Sequence, residues 1–363
     1  MNDEYFMEMA LNLAKKGIGL TNPNPLVGAV IVKDGKVIGK GYHEKYGENH
    51  AEINALNNAK EDVYGATMYV NLEPCSHFGN VPPCVNRIIE SGIKKVVIAM
   101  EDPNPVVSGK GIQILKENGL EVKVGVLKKE AEKLNEIFIK YISTGKPFVI
   151  LKVAMSLDGK IATYTGDSRW ITDKRAREYV HILRQRVSAI LVGVNTVIVD
   201  DPMLNTRLNN IECKDPIRII LDSHGRIPLK SNVLNTNSSN TIVVVTNNAA
   251  EENIKAIEKT GGEVMITPVK DGKVDLQFLM GKLGERKIDS LLIEGGGEIN
   301  FSFLKEKLVD KVIFFIAPKI IGGETSKTPV EGKGVEYLKD AIDLKDITMC
   351  KIGDDIMVEG YLS

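Results

Sequence analysis

The first 145 residues alternate between short apolar runs and amphipathic stretches. Apolar residues recur at the spacing of a buried helix face near the start, at Met7, Ala10, Leu11 and Ala14. The stretches 26–32 and 36–41 are predicted as two strands around the turn Asp34-Gly35, which makes a hairpin. The later pattern predicts helices over 50–60, from Cys84, over 112–118 and over 128–141, and strands over 67–72, 95–100 and 121–126. This alternation is typical of a three-layer α/β/α fold.

A break in the pattern divides the chain. The segment 143–147, Ser-Thr-Gly-Lys-Pro, ends the last predicted helix with Gly and Pro and predicts a linker. A second α/β series follows, with strands over 148–155, 189–193, 217–221, 241–246, 288–294 and 311–317 and helices over 173–186, 249–259 and 298–308. The polar stretch 235–240 predicts an exposed loop. Because 363 residues exceed twice the ~150 of a typical domain, we predict two domains, 1–145 and 146–363.

Composition and charge exclude several classes of protein. The chain has 47 Lys and Arg against 48 Asp and Glu, which gives no electrostatic attraction to nucleic acid or to an anionic membrane. The longest apolar run, 26–32, is far shorter than the ~20 residues that span a bilayer. The acidic, amphipathic start does not resemble a signal peptide. Four Cys do not suggest a disulfide scaffold, so we expect a cytoplasmic protein with neither nucleic-acid nor membrane partners.

The rare residues His and Cys are clustered. Only five His and four Cys occur in the chain, yet five of these nine lie within positions 43–84, namely His43, His50, Cys75, His77 and Cys84. Even spacing would place about one of them there. The cluster is the strongest compositional anomaly of the chain.

Part of this cluster has the pattern of a catalytic zinc site. His50, Cys75 and Cys84 would supply three ligands, which leaves a fourth position for a water molecule whose pKa the metal lowers. Glu52 would carry protons, since positions 50 and 52 can both face one pocket at the start of a helix. The alternatives are a chance His-x-Glu and two buried core cysteines. A structural site of four thiolates is excluded because no further Cys lies nearby.

These motifs resemble the cytidine-deaminase-like family. Most members separate the two Cys by two residues, whereas Cys75 and Cys84 enclose the eight residues SHFGNVPP. Together with TNPNPLVGAVI, HAE, EPCSHFG and DPNPVVSGKG, this resembles the deaminase half of the bifunctional deaminase/reductase family of riboflavin biosynthesis. The resemblance implies a pyrimidine pocket lined by Asn24, His43, Ala51 and His77. The alternatives are a turn position for Asn24 and surface or capping positions for the two histidines.

One position departs from the family pattern. Asn80-Val81 stands where the family often has a basic residue before the Pro-Pro-Cys segment. The group that neutralises a substrate phosphate in this pocket is therefore left open.

The second half lacks the G-x-G-x-x-G fingerprint of a Rossmann fold. Instead, Gly295-Gly296-Gly297 follows a predicted strand and precedes a predicted helix, an arrangement that can bring backbone N–H groups to a pyrophosphate. A tight turn explains three glycines equally well. The segments LKVAMSLDGKIA, SRWIT, RVSAILVGVNTVIVDDPMLNTR, IRIILDS and EGGGEINFSFL resemble the reductase half of the same family, whose fold is similar to dihydrofolate reductase.

This resemblance implies two sets of residues in the second domain. NADPH would contact Ala154, Trp170, Thr196, Asp200, Ser223, Gly296, Gly297, Glu298, Ile299, Asn300, Phe301 and Ser302. The ribosyl phosphate substrate would contact Lys152, Ser168, Arg184, Leu204, Arg207 and Glu294. Arginines can hold a phosphate through paired hydrogen bonds, and Lys152 beside a carboxylate such as Glu294 could polarise a sugar carbon. Arg226 is a candidate ligand for the 2′-phosphate of NADPH.

Several of these residues also have simpler explanations. Arg184 fits a solvated helix charge, Trp170 fits core packing, and Asp200-Asp201-Pro202 fits a turn.

We therefore expect one chain that catalyses two successive steps, with one zinc ion per chain and NADPH. The first would hydrolytically remove the 2-amino group of a diaminopyrimidinone ribosyl phosphate, and the second would reduce its ribosyl group to ribityl. The alternatives are a tRNA or free-nucleobase deaminase with an unrelated appendage, and a second half that senses NADPH without turnover. The 17 basic and 18 acidic residues up to position 145 disfavour an RNA-binding surface. The resemblance also implies a homo-oligomer.

Overall fold

The computed structural model describes residues 2–76, 83–104, 107–208, 213–235 and 240–362. These residues form two compact units, which divide between Gly145 and Lys146. Each unit buries its own hydrophobic core. Most of the polar stretch at 235–240, predicted as an exposed loop, lies outside the described residues.

The first unit contains helices on both faces of one sheet. In chain order its elements are α1 (Asp3–Ala14), β1 (Gly28–Lys33), β2 (Lys36–Tyr42), α2 (Ala51–Asn57), β3 (Thr67–Leu72), α3 (Cys84–Glu90), β4 (Lys95–Met100), α4 (Lys110–Glu117), β5 (Glu121–Val124), α5 (Lys128–Leu134) and α6 (Glu136–Thr144). The described strands form a sheet in the order β2-β1-β3-β4-β5. Its first two pairings are antiparallel, and β3, β4 and β5 are parallel.

Packing on both faces explains why the central strands are continuous apolar runs. Helices α1 and α5 contact one another and the central strands. Helix α2 packs on β1 and β2 and also contacts α3, which in turn contacts α4. Every residue of β1 except Lys33 is buried, as expected for a strand that is covered on both faces. The three-layer α/β/α prediction is confirmed.

The predicted helix over 128–141 is instead two helices, α5 and α6. They are separated at Asn135, whose buried side chain forms hydrogen bonds with the backbone of Leu26. Its Oδ1 accepts from the Leu26 N–H at 2.8 Å, and its Nδ2 donates to the Leu26 carbonyl at 3.1 Å. The break therefore serves a tertiary contact that hydrophobic periodicity does not reveal.

The second unit contains a larger sheet. Its elements are β6 (Phe148–Ser156), α7 (Lys174–Arg186), β7 (Ala189–Gly193), α8 (Val194–Asp200), β8 (Ile217–Leu221), β9 (Thr241–Thr246), α9 (Glu251–Lys259), β10 (Glu263–Thr267), the short pair β11 (Val269–Lys270) and β12 (Lys273–Val274), α10 (Leu276–Glu285), β13 (Ser290–Ile293), α11 (Gly297–Lys305), β14 (Lys311–Ala317), β15 (Leu344–Ile352) and β16 (Asp355–Leu362). The α/β prediction for this half is confirmed.

The strand order of this sheet determines which chain segments meet. The described strands run in the order β10-β9-β8-β7-β13-β6-β14-β16-β15, and all but the last two pairings are parallel. The carboxyl ends of β6, β7, β8 and β13 therefore lie at one edge, which is where α/β folds place their ligands. No described helix is both long and apolar enough to cross a membrane.

Two helices of this unit were absent from the sequence prediction. Helix α8 has the sequence VNTVIVD, whose β-branched residues favour a strand. Helix α10 contains Gly281 and Gly284, which weaken a helix, although Asp275 caps it by accepting from the Phe278 N–H at 3.0 Å. The buried apolar face of α10, at Leu276, Leu279, Met280 and Leu283, is a periodic signal that could have revealed it.

Candidate active sites

The predicted zinc ligands come together at the carboxyl end of β3. His50 is the N-cap residue of α2, Cys75 lies three residues beyond β3, and Cys84 is the first residue of α3. The Nδ1 atom of His50 lies 3.5 Å from the Cys75 Sγ and 3.3 Å from the Cys84 Sγ. The three ligand atoms all lie within 4.8 Å of one another. The alternative of unrelated core cysteines is therefore excluded.

This geometry fits a zinc ion. Tetrahedral zinc with ordinary Zn–N and Zn–S bonds separates a nitrogen from a sulfur ligand by roughly 3.6 Å. The two observed N···S distances, 3.5 and 3.3 Å, are close to that value. A hydrogen bond from Cys84, followed by the neighbouring His50, lowers the pKa of Cys75, and the same hydrogen bond together with burial raises the pKa of Cys84.

Glu52 lies beside these ligands in the first turn of α2. Its side chain is buried, with 3% of its surface exposed, and forms a hydrogen bond with Cys84. Burial and the negative charge of Cys75 raise the pKa of Glu52 to about 7. A carboxyl group in this setting can both accept and donate a proton near neutral pH.

His43 and Asn24 form a second layer next to His50. The rings of His43 and His50 are in edge contact, with centroids 5.6 Å apart. The Asn49 carbonyl can only accept, so His43 Nδ1 donates to it at 3.0 Å. The Asn24 amide nitrogen can only donate, so the His43 Nε2 accepts from it at 3.2 Å. Burial lowers the pKa of His43. A surface position for His43 is therefore excluded.

Of the two other residues predicted for the pyrimidine pocket, Ala51 is among the described residues and His77 is not. Ala51 is fully buried as the first residue of α2, between His50 and Glu52 in the chain. His77 lies outside the described residues, as does Asn80.

Glu73 is a site residue that sequence reasoning missed. Its buried carboxylate accepts hydrogen bonds from four backbone N–H groups, two before α4 and two in its first turn. Oε2 accepts from Asp102 and Gly109, both at 3.0 Å, and Oε1 accepts from Gly111 at 2.8 Å and Ile112 at 3.2 Å. Glu73 belongs to the EPC motif, and Asp102, Gly109 and Gly111 belong to the DPNPVVSGKG motif. The sequence shows both motifs, but only the fold shows that hydrogen bonds join them.

In the second unit, three predicted substrate residues form one ion cluster at the edge of the sheet. Glu294 directly follows β13, and its Oε2 lies 2.9 Å from the Lys152 Nζ on the adjacent β6. Arg184 of α7 donates to both Glu294 oxygens, at 2.7 and 3.1 Å. Burial alone would raise the pKa of Glu294, but the two cations hold it well below its usual range. Arg184 is thus not a solvated helix charge.

The other predicted substrate residues lie around this cluster or near the Trp170 segment. Asn205 accepts from Arg184 Nη1 through its carbonyl at 3.0 Å, which joins the segment 204–207 to α7. Leu204 is buried at a positive φ of 50°, and Arg207 is exposed. Ser168 is half-buried, two residues before Trp170.

The triple glycine lies at the start of α11, with Gly296 as its N-cap residue. A Cβ at Gly297 would lie 2.4 Å from Glu331 and 2.6 Å from the Thr328 carbonyl, whereas a Cβ at Gly296 would meet open space. The open side at the start of a helix suits a phosphate group. Turn glycines such as Gly35 and Gly47 have the same open side, so a tight turn also accounts for Gly296.

The remaining residues of this helix are held in different ways. Glu298 forms a salt bridge with Lys273 at 2.8 Å, and Ser302 donates to the Glu298 carbonyl at 2.8 Å. Asn300 is buried and donates to the Pro329 carbonyl at 2.8 Å. Ile299 and Phe301 are half-buried.

The predicted cofactor residues outside α11 lie on separate elements of the same unit. Ala154 is two positions beyond Lys152 on β6 and therefore faces the same side of the sheet. Thr196 is half-buried in α8, and Asp200 is its last residue. Ser223 follows β8, and its carbonyl accepts from the Thr246 hydroxyl at 2.8 Å.

Trp170 is 62% exposed, so core packing is excluded. The Arg177 guanidinium covers its ring at 4.5 Å. Arg226, considered for the 2′-phosphate, is exposed and lies 3.8 Å from the Asp222 carboxylate.

Comparisons with known proteins match both units of the chain. A family model described as the cytidine and deoxycytidylate deaminase zinc-binding region matches residues 1–100, and one described as the RibD C-terminal domain matches residues 147–358. The riboflavin biosynthesis protein RibD of Actinobacillus pleuropneumoniae is 48% identical over 99% of this chain and 95% of its own length.

The chain belongs to the RibD family of riboflavin biosynthesis proteins. Solved structures of relatives cover 99% of both chains. They are Acinetobacter baumannii RibD, at 39% identity and a TM-score of 0.89, and a Thermotoga maritima protein, at 40% and 0.86. The latter is described as a diaminohydroxyphosphoribosylaminopyrimidine deaminase/5-amino-6-(5-phosphoribosylamino)uracil reductase.

Family membership decides between the functions considered. The chain is a bifunctional enzyme of riboflavin biosynthesis, a deaminase and a reductase, that acts on a small molecule. A nucleobase or tRNA deaminase with an unrelated appendage is not favoured, because the relatives match both units. The zinc-binding region and the reductase domain imply zinc and a nicotinamide cofactor.

Proposed function

We propose that residues 1–145 form a zinc-dependent pyrimidine deaminase domain, with one zinc ion per chain held by His50, Cys75 and Cys84. The observation that carries this proposal is the convergence of one imidazole nitrogen and two sulfurs within 4.8 Å, next to a buried carboxyl. When bound, zinc supplies a water molecule with a lowered pKa. The substrate is 2,5-diamino-6-ribosylamino-4(3H)-pyrimidinone 5′-phosphate, as the description of the Thermotoga relative supports.

Glu52 moves the protons of this step. It accepts a proton from the attacking water and donates one to the departing 2-amino group, so that the C–O bond forms, the C–N bond breaks and ammonia leaves. Asn24 lies next to His43, whose doubly hydrogen-bonded ring fixes the direction of the Asn24 amide. We assign pyrimidine binding to Asn24, His43, Ala51 and His77.

Residues 146–363 form an NADPH-dependent reductase domain in this proposal. A bound nicotinamide cofactor would supply the hydride for this step. With one proton from solvent, the ring-opened ribosyl group would become the ribityl chain of 5-amino-6-(5-phosphoribitylamino)uracil, and the oxidised cofactor would leave. Lys152, Arg184 and Arg207 outnumber the two carboxylates nearby, Glu294 and Asp215, which leaves net positive charge for a substrate phosphate. Ser168 and Leu204 complete the substrate set.

The cofactor residues in this proposal are those at the start of α11 and around it. Gly296 offers the open approach, and α11 presents its first N–H groups on that side. The full set is Ala154, Trp170, Thr196, Asp200, Ser223, Gly296, Gly297, Glu298, Ile299, Asn300, Phe301 and Ser302.

One variant tests both halves. We expect Glu52→Gln to retain zinc but to lose ammonia release, while NADPH oxidation with the deaminated substrate continues at the wild-type rate. Glu61→Gln, an exposed carboxylate in the same unit, is the matched control and should retain both activities. Loss of both activities in Glu52→Gln would contradict two independent sites, and wild-type protein that oxidises no NADPH would refute the reductase assignment. Parallel assays with NADH test the cofactor preference.

We also propose a homo-oligomer in the cytoplasm. Strand β15 and the segment before it expose several large apolar side chains, including Leu338, Ile342, Ile347 and Met349. The thiol ligands Cys75 and Cys84 suit a reducing compartment. The mass in solution, measured by light scattering, tests the oligomeric state.

A further inference from the structure

His181 of α7 contacts the predicted substrate residues although no motif pointed to it. It precedes Arg184 by three positions and therefore lies on the same face of the helix. Its Nδ1 atom accepts a hydrogen bond from the backbone N–H of Arg207 at 3.2 Å. Helix α7 thus reaches the segment 204–207 through a second residue besides Arg184.

The acceptor role fixes the state of the ring. A nitrogen that accepts from a backbone N–H is unprotonated, so the ring carries its proton on Nε2. Burial, followed by the positive charges of Arg184 and Arg207, lowers the pKa of His181 to about 4, against the opposing effect of Glu294. The ring is therefore neutral near neutral pH and adds no charge to the cluster.

The two contacts of α7 hold both ends of one short segment. Arg184 donates to the Asn205 carbonyl at 3.0 Å, and His181 accepts from the Arg207 N–H. Between them, the Arg207 Nη1 donates to the Asn205 Oδ1 at 3.1 Å. These bonds define where the Arg207 guanidinium lies relative to Arg184.

We propose that His181 is a positioning residue of the reductase site, whose neutral ring holds the Arg207 backbone so that Arg207 and Arg184 together receive the phosphate of the substrate. The inference rests on the proposed reductase function of this cluster. His181 would affect the affinity for the phosphorylated substrate and not the hydride transfer. Among the described residues, no hydrogen bond joins His181 to Lys152 or to Glu294.

Two substitutions separate the acceptor from the shape of the ring. His181→Phe keeps a ring but removes the acceptor, whereas the Oδ1 of His181→Asn can replace Nδ1. With the phosphorylated, deaminated substrate, we expect His181→Phe to raise KM by up to about tenfold, which is the upper end of the effect of one lost hydrogen bond. The kcat and the KM for NADPH should change less than about twofold, and His181→Asn should restore KM to within about threefold of wild type.

The same substrate without its phosphate provides the decisive comparison. On it, His181→Phe and wild type should have equal KM, because the interaction that His181 supports is missing. Lys174→Gln, an exposed position on α7, is the control and should match wild type on both substrates. Equal increases in KM on both substrates, a loss of kcat alone, or no rescue by His181→Asn would overturn the proposal. Wild-type protein that reduces neither substrate would instead refute the reductase function itself.

Discussion

Glu73 offers a sharp test of how the deaminase site is held. This carboxylate lies two residues before the proposed zinc ligand Cys75 and accepts hydrogen bonds from the backbone N–H groups of Asp102, Gly109, Gly111 and Ile112. Glu73→Gln changes one oxygen to an NH₂ group and removes the charge, with little change in size. A glutamine can satisfy either the pair at Asp102 and Gly109 or the pair at Gly111 and Ile112, but not both.

The expected loss of stability follows from the number of N–H groups that lose their acceptor. Two buried N–H groups lose their acceptor, each at about 1–3 kcal/mol, so the first unit should lose about 4 kcal/mol of its free energy of unfolding. The segment cannot easily shift to find new partners, because Gly111 packs so closely that a Cβ there would lie 2.2 Å from the Pro74 carbonyl. The strain should therefore pass to Pro74 and Cys75, and zinc should dissociate more readily.

Urea unfolding and zinc release measure these two effects. Unfolding of the first unit gives the change in stability, and a chromogenic chelator gives the rate of zinc loss. Glu101→Gln, on the exposed neighbouring carboxylate, is the matched control. A loss below about 1 kcal/mol in Glu73→Gln, with wild-type zinc retention, would refute the reasoning, as would an equal effect in the control.

Two further predictions concern the metal and the ion cluster. Cys84→Ser should lower the zinc content, measured by elemental analysis, from about one ion per chain, and ammonia release should fall with it while NADPH oxidation persists. Glu294→Gln leaves Lys152 and Arg184 without their shared buried carboxylate and should destabilise the second unit by about 3–5 kcal/mol. Since the folded pKa of Glu294 lies below 4.5, its stabilisation is complete above pH 4.5 and is lost as the pH falls toward the folded pKa. Acid titration of stability should therefore be shallower in Glu294→Gln, and an unchanged slope would contradict this assignment.

Local pattern was sufficient for most of the sheet strands. Strands such as β4 and β7 are buried on both faces, so their sequences are almost entirely apolar runs that stand out from their surroundings. Hydrophobic periodicity gave a wrong element where a tertiary contact or the packing of the whole unit outweighed local preference. The break at Asn135 serves a bond to Leu26, and α8 forms a helix from β-branched residues.

The sequence by itself predicted the three candidate zinc ligands and the two-part organisation. Histidine and cysteine are rare here, so their clustering was informative without any coordinates, and Gly and Pro marked the linker. The roles of Glu73 and His181 were decided only by tertiary structure. Glutamates are common and carry no local mark of burial, and one histidine on a helix is equally uninformative.

The reductase cluster shows the physical reason most clearly. Arg184 and Glu294 are 110 positions apart, and they meet because β13 lies between β6 and β7 in the sheet. A buried strand can be recognised from its own residues, because burial requires them to be apolar. Strand order depends on contacts between distant segments, and it is this order that brings Lys152, Arg184 and Glu294 to one edge.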